Sequence, residues 1–401
     1  MKVVFVNRFF HPDHSATSQL LTDLAIHLAK HGTAVLVVTS RQVYDDPTVA
    51  LPARGTVAGV QILRIWTSRF GRGRLWGRVI DYGTFYLSAF WCLLKHVRKD
   101  DLVVAKTDPP LISVFAAIAS KARSAVLINW IQDLFPEVAS ALAVQGSVWL
   151  DQPLRSLRNR SLRAARCNVV IGEGMARKLR DEEIPPRSIR VIHNWADGLA
   201  IQPVDREKND LRVEWDLQNK FVVGYSGNFG RAHEFETILS AADLLRAENH
   251  IAFLFIGGGA QLKWMKQEVE KRHLKNVCFK PYQPRDRLAI SLSVPDIHVI
   301  SLQPALEGLI VPSKFYGIAA AGRSMLYIGD RDGEIPSLLR SAKCGFSVGV
   351  NQANQAASII REVALEESAC SSLGHRARAL FEQRFERHFA EQAWECVIAN
   401  S

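Results

Sequence analysis

Two basic residues in the second half of the chain stand where a strand passes through a turn into a helix. The first is Arg231 in YSGNFGRAHEFETIL, whose turn contains Gly227, Asn228 and Gly230. Glycines let backbone N–H groups approach a phosphate, a helix start carries partial positive charge, and arginine can hold an anion with two parallel hydrogen bonds. The pattern is typical of a diphosphate site, although a tight turn with a solvated arginine has the same sequence.

The second basic residue is Lys314 in EGLIVPSKFYGIAAAG. Pro312 and Ser313 favour a helix start, which places Lys314 in the first helical turn. A cation there is unfavourable unless an anion is bound, so we expect a second phosphate ligand; the alternative is a surface lysine. Gly317 costs a helix about 1 kcal/mol relative to alanine, and we expect it to let a ligand or a neighbouring strand approach closely.

Several carboxylates are candidates for the same chemistry. Asp133 in WIQDLFPEVA is a candidate active-site acid, or a cap of the turn in which it lies. Glu137 follows a proline and more simply stabilises a helix start. Glu307 precedes the turn that leads to Lys314, where we expect a carboxylate at the mouth of a ligand cleft. The acidic pair of residues 330 and 332 resembles a metal site, but we interpret it as part of a turn.

The loop after the first strand, RFFHPDHSA, supplies the other side of the predicted site. His14 is positioned to face an acceptor or a donor phosphate, with a solvated histidine as the alternative. Ser15 and Ala16 follow it at the predicted start of the first helix, and we assign all three residues to the acceptor side.

The elements that must position these residues have the order of an α/β protein. In the first half the strands MKVVFVN, TAVLVVTS, DLVVAKT, AVLINW and CNVVIG alternate with helical segments. The pattern breaks near residue 201 and restarts with FVVGYSG, IAFLFIGGG, VCFKPY, DIHVISL and MLYIGD. We therefore predict two doubly wound Rossmann-like domains, residues 1–200 and 201–401, with ligands beyond the carboxyl ends of the strands.

Composition and charge fit two globular domains that face something anionic. The 401 residues are 48% hydrophobic and 22% charged, and the net charge is +10. Residues 1–200 hold 26 Lys and Arg against 16 Asp and Glu, while the remainder holds 24 of each. Without a nucleic-acid-binding motif, this favours a membrane surface or a phosphorylated substrate. Six scattered cysteines without a CxxC pair and no visible secretion signal predict a reducing, cytoplasmic location.

The segment of residues 69–99 combines positive charge with aromatic side chains. Residues 68–100 carry seven Lys and Arg against one internal acid, Asp81. Cations interleaved with aromatic residues suit a helix in an anionic membrane interface. The apolar run of residues 82–94 is shorter than the about 20 residues needed to span a bilayer. We predict membrane contact here, extended by the arginines of residues 155–166; the alternative is a core helix with a solvated basic flank.

The order of these motifs resembles the family 4 glycosyltransferases, in particular the branch of colanic-acid and O-antigen biosynthesis. SGNFGRAHE, EGLIVPSKFYGIAAAG and GDRDGEI resemble the donor domain of this family, and FFHPDHSATSQLLTDLAIHLAKHG, TDPPLIS, WIQDLFPEVA and HNWAD resemble its first domain. The resemblance implies the GT-B fold, with an N-terminal acceptor domain and a C-terminal donor domain facing a central cleft. It also implies that the last helix, about residues 376–401, packs back on the first domain.

The resemblance further implies transfer of a sugar with retention of anomeric configuration, without a metal or a cofactor. Arg231 and Lys314 match the cations that bind the donor diphosphate in this family. The second glutamate of the family pair is replaced by Gly317, so either Glu307 or Glu334 takes the role of the family glutamate. Gln132 stands where the family often has a histidine.

We expect a retaining glycosyltransferase that moves a hexosyl or N-acetylhexosaminyl group from a nucleotide sugar to a glycan acceptor. The acceptor is expected to be linked to a polyprenyl diphosphate in bacterial surface polysaccharide synthesis, with the enzyme peripheral on the inner face of the plasma membrane. Two alternatives remain open on the sequence. One is a nucleotide-sugar 2-epimerase of the same fold, and the other is a non-catalytic nucleotide-sugar binding protein.

Overall fold

The computed structural model describes residues 1–13, 15–43, 49–71, 75–142 and 147–401. The chain forms two compact units, and each has its own sheet. Unit 1 comprises Met1–His193 and Ala390–Ser401, and unit 2 comprises Asn194–Phe389. The division therefore lies at residues 193 and 194, somewhat before the predicted boundary at 200 and 201.

The described part of unit 1 contains an eight-stranded sheet with the order β3-β4-β2-β1-β5-β6-β7-β8. Its strands are β1 (Lys2–Val6), β2 (Ala34–Ser40), β3 (Arg54–Val57), β4 (Val60–Ile65), β5 (Leu102–Lys106), β6 (Val126–Ile131), β7 (Cys167–Val170) and β8 (Ile189–Val191). Only the β3–β4 pair of this sheet is antiparallel, as a hairpin. Ala58 and Gly59 both have positive φ, the conformation that a two-residue hairpin turn requires.

Helices cover the sheet of unit 1, as expected for parallel strands that are buried on both faces. They are α1 (Ala16–Lys30), α2 (Leu75–His96), α3 (Ile112–Arg123), α4 (Glu137–Ala141), α5 (Ser147–Ala164) and α6 (Glu173–Asp181). The central strands β1 and β5 are almost entirely apolar and buried. Lys106, at the end of β5, is an exception to this apolar pattern, although its side chain is also fully buried.

Unit 2 contains an all-parallel six-stranded sheet with the order β11-β10-β9-β12-β13-β14. Its strands are β9 (Phe221–Asn228), β10 (Ile251–Gly258), β11 (Val277–Lys280), β12 (Ile297–Ser301), β13 (Ser324–Ile328) and β14 (Gly345–Val348). Its helices are α7 (Asp210–Glu214), α8 (Glu236–Leu244), α9 (Leu262–Lys271), α10 (Leu288–Leu292), α11 (Lys314–Ala320), α12 (Glu334–Ala342), α13 (Ala353–Leu365) and α14 (Glu367–Arg384).

The predicted last helix is two helices, because α14 ends at Arg384 and a separate helix, α15 (Arg387–Ala399), follows. Most of α15 belongs to unit 1. Trp394 of α15 is fully buried there, with its ring centroid 4.8 Å from that of Trp130 in β6. Large aromatic side chains bury much apolar area, so this pair anchors α15 to unit 1.

Candidate functional site

The topology of unit 2 brings the predicted donor residues to one edge of its sheet. Strands β9, β12 and β13 are adjacent and parallel, so their carboxyl ends meet. Arg231 follows β9, Glu307 follows β12 and Glu334 follows β13. One contact ties the first two loops together, because Gln303 N–H donates to the Ala232 carbonyl at 2.9 Å. A second ties the turn after β9 to the end of β10, where Phe229 N–H donates to the Gly258 carbonyl at 2.7 Å. In open α/β sheets this edge is where ligands bind.

The turn after β9 depends on its glycines. Gly227 has φ 126°, a conformation that side chains rarely adopt. A Cβ on Gly257 of the neighbouring strand would lie 2.1 Å from the Gly227 carbonyl oxygen, and one on Gly259 would lie 2.3 Å from Asn228 Oδ1. A Cβ on Gly230 would lie 3.3 Å from Asn228 Nδ2. The two backbones therefore approach each other closely, and Asn228 fills the turn between them.

Lys314 lies directly beside this turn, as the first residue of α11. Its Nζ donates to the Tyr225 hydroxyl and lies 3.6 Å from the centroid of the Tyr225 ring. Its Cε is 3.8 Å from the place that a Cβ on Gly227 would take. Burial holds the pKa of Lys314 well below its usual value. No carboxylate in the described ranges forms an ion pair with Lys314, so a desolvated amino group faces the glycine turn without an acid.

His233 also packs edge-on against Tyr225, with its ring centroid 5.8 Å away. Its Nδ1 is 2.6 Å from the Ser301 carbonyl oxygen, an acceptor, so Nδ1 carries the hydrogen. Burial, together with the charge of Lys314, lowers the pKa of His233 to about 3. The imidazole is therefore neutral at physiological pH. His233 belongs to the quoted turn motif, but we did not predict it as a site residue.

Arg231 is exposed at the rim of the same turn. Among the residues that the structure describes, its guanidinium has no hydrogen bond or ion pair. Ser313 is also exposed, and its side chain does not cap α11. A third exposed group of this rim is Tyr282, whose hydroxyl donates to the Gly258 carbonyl at 3.1 Å. Its ring carbons lie 3.3 and 3.5 Å from the places that Cβ atoms on Gly257 and Gly258 would take.

Glu307 and Glu334 are neighbours, although they are far apart in sequence. The Glu307 carboxylate accepts from the backbone N–H of Glu334 at 2.9 Å and from the Tyr327 hydroxyl at 3.2 Å. A Cβ on Gly333 would lie 2.5 Å from this carboxylate, so a larger residue there would have to displace the Glu307 side chain. Burial raises the pKa of Glu307, and Asp330 and Glu334 act in the same direction. Glu307 thus caps the start of α12 and fixes the position of Glu334.

Gly317 does not lie against a strand, which was one of its two predicted neighbours. A Cβ at this position would meet only Leu292 Cδ1 of α10, at 3.4 Å. The close partner is thus a flexible helix side chain and not a strand. A donor-binding role of Gly317 stays a prediction.

In unit 1, Asp133 follows β6 and shares its surroundings with Lys106 and Asp108. Asp133 is exposed at the surface of unit 1, yet desolvation by the surrounding chain and the like charge of Asp108 raise its pKa to about 6. Lys106 donates to the Thr17 carbonyl at 2.9 Å and lies 3.5 Å from the Trp130 ring centroid. Burial holds the pKa of Lys106 well below its usual value.

Thr17 connects this cluster to the start of α1, the predicted acceptor side. Ser15 precedes α1 and donates its backbone N–H to Asp13 Oδ1 at 2.8 Å, while Ala16 is exposed in the first turn. His14 lies outside the described residues. Lys106 therefore joins two segments of unit 1 through its contact with the Thr17 carbonyl. One segment carries Ser15 and Ala16, and the other carries Asp133, whose charge acts on Lys106.

Of the five arginines in the predicted basic surface along α5, Arg160, Arg163 and Arg166 are exposed, whereas Arg155 and Arg158 pair with acids. Arg158 is 6% exposed and bonds Glu137 through Nη1 at 2.6 Å. Arg155 bonds Asp151 and Glu182 at 3.0 Å each. These guanidiniums neutralise acids of their own unit, because they lie on the inner side of α5. Glu137 accordingly has a structural role, in agreement with the simpler of its two interpretations.

The exposed face of α2 is apolar along its length. Trp76 is 79% and Trp91 66% exposed, with Ile80 and Leu87 between them at helical spacing. Phe70, in the segment before α2, is also exposed. We call these five residues the α2 stripe. Arg69, Arg78 and Lys95 are exposed beside it, whereas Arg72 and Arg74 lie outside the described residues. Within the described ranges, no helix has the length and hydropathy needed to span a membrane.

Known families match both units. Residues 17–195 match the model of the glycosyl transferase 4-like domain, and residues 207–380 match that of the glycosyl transferases group 1. The probable glycosyltransferase WbjE of Pseudomonas aeruginosa is 30% identical over 312 residues, 76% of each chain. The putative colanic acid biosynthesis glycosyl transferase WcaI of Escherichia coli is 26% identical over 268 residues, 65% of each chain.

Two solved structures share the fold over the full length of both chains. Sucrose-phosphate synthase from Thermosynechococcus elongatus has a TM-score of 0.77 at 15% identity, with 100% of each chain covered. Anabaena HepE in complex with UDP-glucose has a TM-score of 0.74 at 15% identity, again with 100% of each chain covered.

Proposed function

Since this chain belongs to the group 1 glycosyltransferases and has the GT-B fold, we propose that it transfers a hexosyl or N-acetylhexosaminyl group from a nucleotide sugar to a glycan with retention of configuration. The name of WcaI refers to colanic acid biosynthesis, which supports a place in the synthesis of a bacterial surface polysaccharide. HepE, which binds UDP-glucose, supports a nucleoside diphosphate sugar as the donor.

The observation that carries this proposal is the unpaired cation beside the glycine turn. Holding a desolvated ammonium group without an acid is costly in the free protein. A bound diphosphate would supply the missing charge, and the turn at Gly227 brings backbone close to the same place. Lys314 is therefore arranged for an anionic ligand.

The proposed chemistry is electrostatic. As the glycosidic bond loosens, negative charge develops on the leaving diphosphate, and Lys314 and Arg231 stabilise that charge. Such fixed donors contribute more to the transition state than to the ground state because the charge is larger there. No step requires a metal or a cofactor in this proposal. His233 stays neutral and holds the Tyr225 side of the site.

Tyr282 is the proposed platform for the nucleobase. Its exposed ring lies against the glycine backbone at the end of β10, on the same sheet edge as the turn. Base stacking on an aromatic ring contributes about 1 to 3 kcal/mol and tolerates different bases. On the sugar side, Glu334 and Glu307 are the proposed carboxylates for the donor hydroxyls, with Glu307 also fixing the start of α12.

Asp133 is the proposed acid–base group on the acceptor side. A carboxyl group with a pKa of about 6 is closer to the operating pH than an ordinary aspartate, which suits proton transfer from an acceptor hydroxyl. Ser15 and Ala16 are proposed to line the path of the acceptor.

The α2 stripe is the proposed contact with the inner face of the plasma membrane, where a polyprenyl-diphosphate-linked acceptor would lie. Exposed tryptophans at helical spacing suit the boundary between headgroups and acyl chains. Each of the flanking basic residues adds about 1 kcal/mol near an anionic surface.

The decisive test is a transfer assay with a panel of nucleotide sugars and lipid-linked glycan acceptors. We expect one donor to be consumed only when acceptor is present, and Lys314→Ala to abolish its consumption. Lys263→Ala, which removes an exposed lysine of α9, is the matched control and should leave turnover unchanged. Conversion of the donor sugar without acceptor would instead indicate an epimerase, and binding without turnover would indicate a binding protein.

A further inference from the structure

A histidine of α1, His27, and the histidine that caps its C-terminus, His31, meet two glutamates of α15 on the outside of unit 1. His27 and His31 are one helical turn apart, as are Glu391 and Glu395. His27 Nε2 is 2.8 Å from Glu395 Oε1, and His27 Nδ1 is 3.2 Å from Glu391 Oε2. Ligand atoms of His27, His31 and Glu395 all lie within 4.8 Å of one another. None of these four residues takes part in the proposed transfer.

The hydrogen bonds of both imidazoles orient them in the same sense. His31 Nδ1 lies 2.9 Å from the His27 carbonyl oxygen, which can only accept, so Nδ1 carries the hydrogen. The buried Glu391 carboxylate accepts in the same way from His27 Nδ1. Nε2 is then the nitrogen of each ring that remains for a metal, and in His27 it would exchange its 2.8 Å contact with Glu395 Oε1 for the ion. Histidine ligands in metal sites typically have this arrangement, with the far nitrogen bonded to a carboxylate or a carbonyl group.

We propose that this cluster binds a zinc ion that fastens the fold, with His27 Nε2, His31 Nε2 and a Glu395 oxygen as protein ligands and water at the remaining position. Two imidazoles and one carboxylate are donors that suit Zn²⁺, and two histidines one turn apart on a helix can bind one ion together. Glu391 is a positioning residue that holds the His27 ring.

The geometry requires only side-chain rotation. Ligands about 2.0 Å from a tetrahedral zinc ion are about 3.3 Å from one another. The contact of 2.8 Å between His27 and Glu395 must open slightly, and the wider separations must close. His31 is exposed and the Glu395 side chain is 40% exposed, so both can rotate, and water can complete the coordination.

Zinc at this place would join two distant parts of the chain. His27 and Glu395 are 368 residues apart, and the same helix α15 carries the Trp394 anchor. The site is also separate from the proposed acceptor side. Ala16 and His27 are separated along α1 by about 16 Å at 1.5 Å per residue. The ion would therefore fasten α15 to α1 and would not take part in sugar transfer.

The test uses full-length, untagged, chelator-treated protein titrated with Zn²⁺ by calorimetry, with the Tm measured in parallel. We expect one ion per chain and a Tm that rises with Zn²⁺ and falls again with chelator. His31→Ala and Glu395→Gln should weaken binding at least 100-fold and remove the Tm rise. His250→Ala is the matched control, because His250 is also exposed beside a glutamate, Glu248, and should change nothing.

Glu391→Gln tests the positioning role separately. It should weaken binding about 10- to 100-fold, while the visible spectrum of the Co²⁺-loaded protein keeps its tetrahedral bands because the ligands remain. Circular dichroism and transfer activity of the metal-free His31→Ala and Glu395→Gln proteins should equal those of wild type, since both substitutions lie on partly exposed side chains. Absence of stoichiometric Zn²⁺ binding to wild type, or wild-type affinity in the folded His31→Ala protein, would overturn the proposal.

Discussion

Lys314 lies over the face of the Tyr225 ring, with Nζ 3.6 Å from the ring centroid, and also donates to the Tyr225 hydroxyl. The aromatic face and the hydroxyl oxygen partly replace water around the ammonium group. They do not neutralise it. The contact holds Lys314 toward the glycine turn and leaves its charge available to an anionic ligand.

Removal of the Lys314 amino group should increase stability and decrease activity. Lys314→Met keeps the length of the side chain and removes a desolvated cation, so we expect the ligand-free protein to gain about 1 kcal/mol in the free energy of unfolding. Donor turnover should fall roughly 100- to 1000-fold, the usual loss for one electrostatic donor. Urea denaturation and steady-state kinetics measure the two effects. A variant that is destabilised and still active would show that Lys314 is a structural residue.

The lowered pKa of Lys314 predicts a pH dependence with a definite sign. A bound diphosphate favours the charged ammonium and raises this pKa again, so binding takes up a proton at pH values between the two pKa values. Donor affinity should therefore fall as the pH rises through that window. Ligand-free stability should rise there, since the unfolded chain binds more protons than the folded one. Calorimetry in buffers of different ionisation enthalpy measures the proton uptake, which Lys314→Met should lack.

Much of the fold could be predicted from the sequence, because buried parallel strands are continuous apolar runs followed by turns and helices. The positions of Arg231, Glu307 and Glu334 after three such strands were predictable for the same reason. The β3–β4 hairpin was not predicted, since RGTV is short and half polar. The contact of Lys314 with Tyr225 was not predicted, because Tyr225 has the pattern of an ordinary strand residue. The pairing of Arg158 with Glu137 was not predictable either, since it depends on how α5 packs.

Asp133→Asn should remove an acid–base group while keeping the shape of the side chain. In wild type, kcat/KM for the acceptor should fall as the pH drops through about 6, because protonated Asp133 cannot accept a proton. The variant should lose about 100- to 10,000-fold in rate near neutral pH and lack this acid limb. Its stability near pH 7 should not decrease, since the raised pKa means that the ionised carboxylate is disfavoured in the folded state. A variant with the wild-type pH profile would remove Asp133 from the reaction.

The α2 stripe predicts sedimentation with anionic vesicles. Trp76→Glu and Trp91→Glu together should abolish binding, because they place charge on the face that would enter the interface. Trp264→Glu, at a partly exposed tryptophan of α9 in unit 2, is the matched control and should still bind. Higher salt should weaken wild-type binding, since the flanking charges are screened over about 8 Å at physiological ionic strength. Equal binding of the double variant and wild type would exclude α2 as the contact.

Two glycine substitutions distinguish a residue of the donor turn from a residue of helix packing. Gly317→Ala adds a methyl group beside the flexible end of Leu292, so we expect unchanged donor affinity and a gain of up to about 1 kcal/mol from helix propensity. Gly227→Ala should lower both stability and donor affinity, because φ 126° strains any side chain there. Thermal unfolding and calorimetric titration of both proteins with the nucleotide sugar measure these effects. Weaker donor binding by a stable Gly317→Ala protein would show instead that the helix start contacts the nucleotide directly, as the sequence alone suggested.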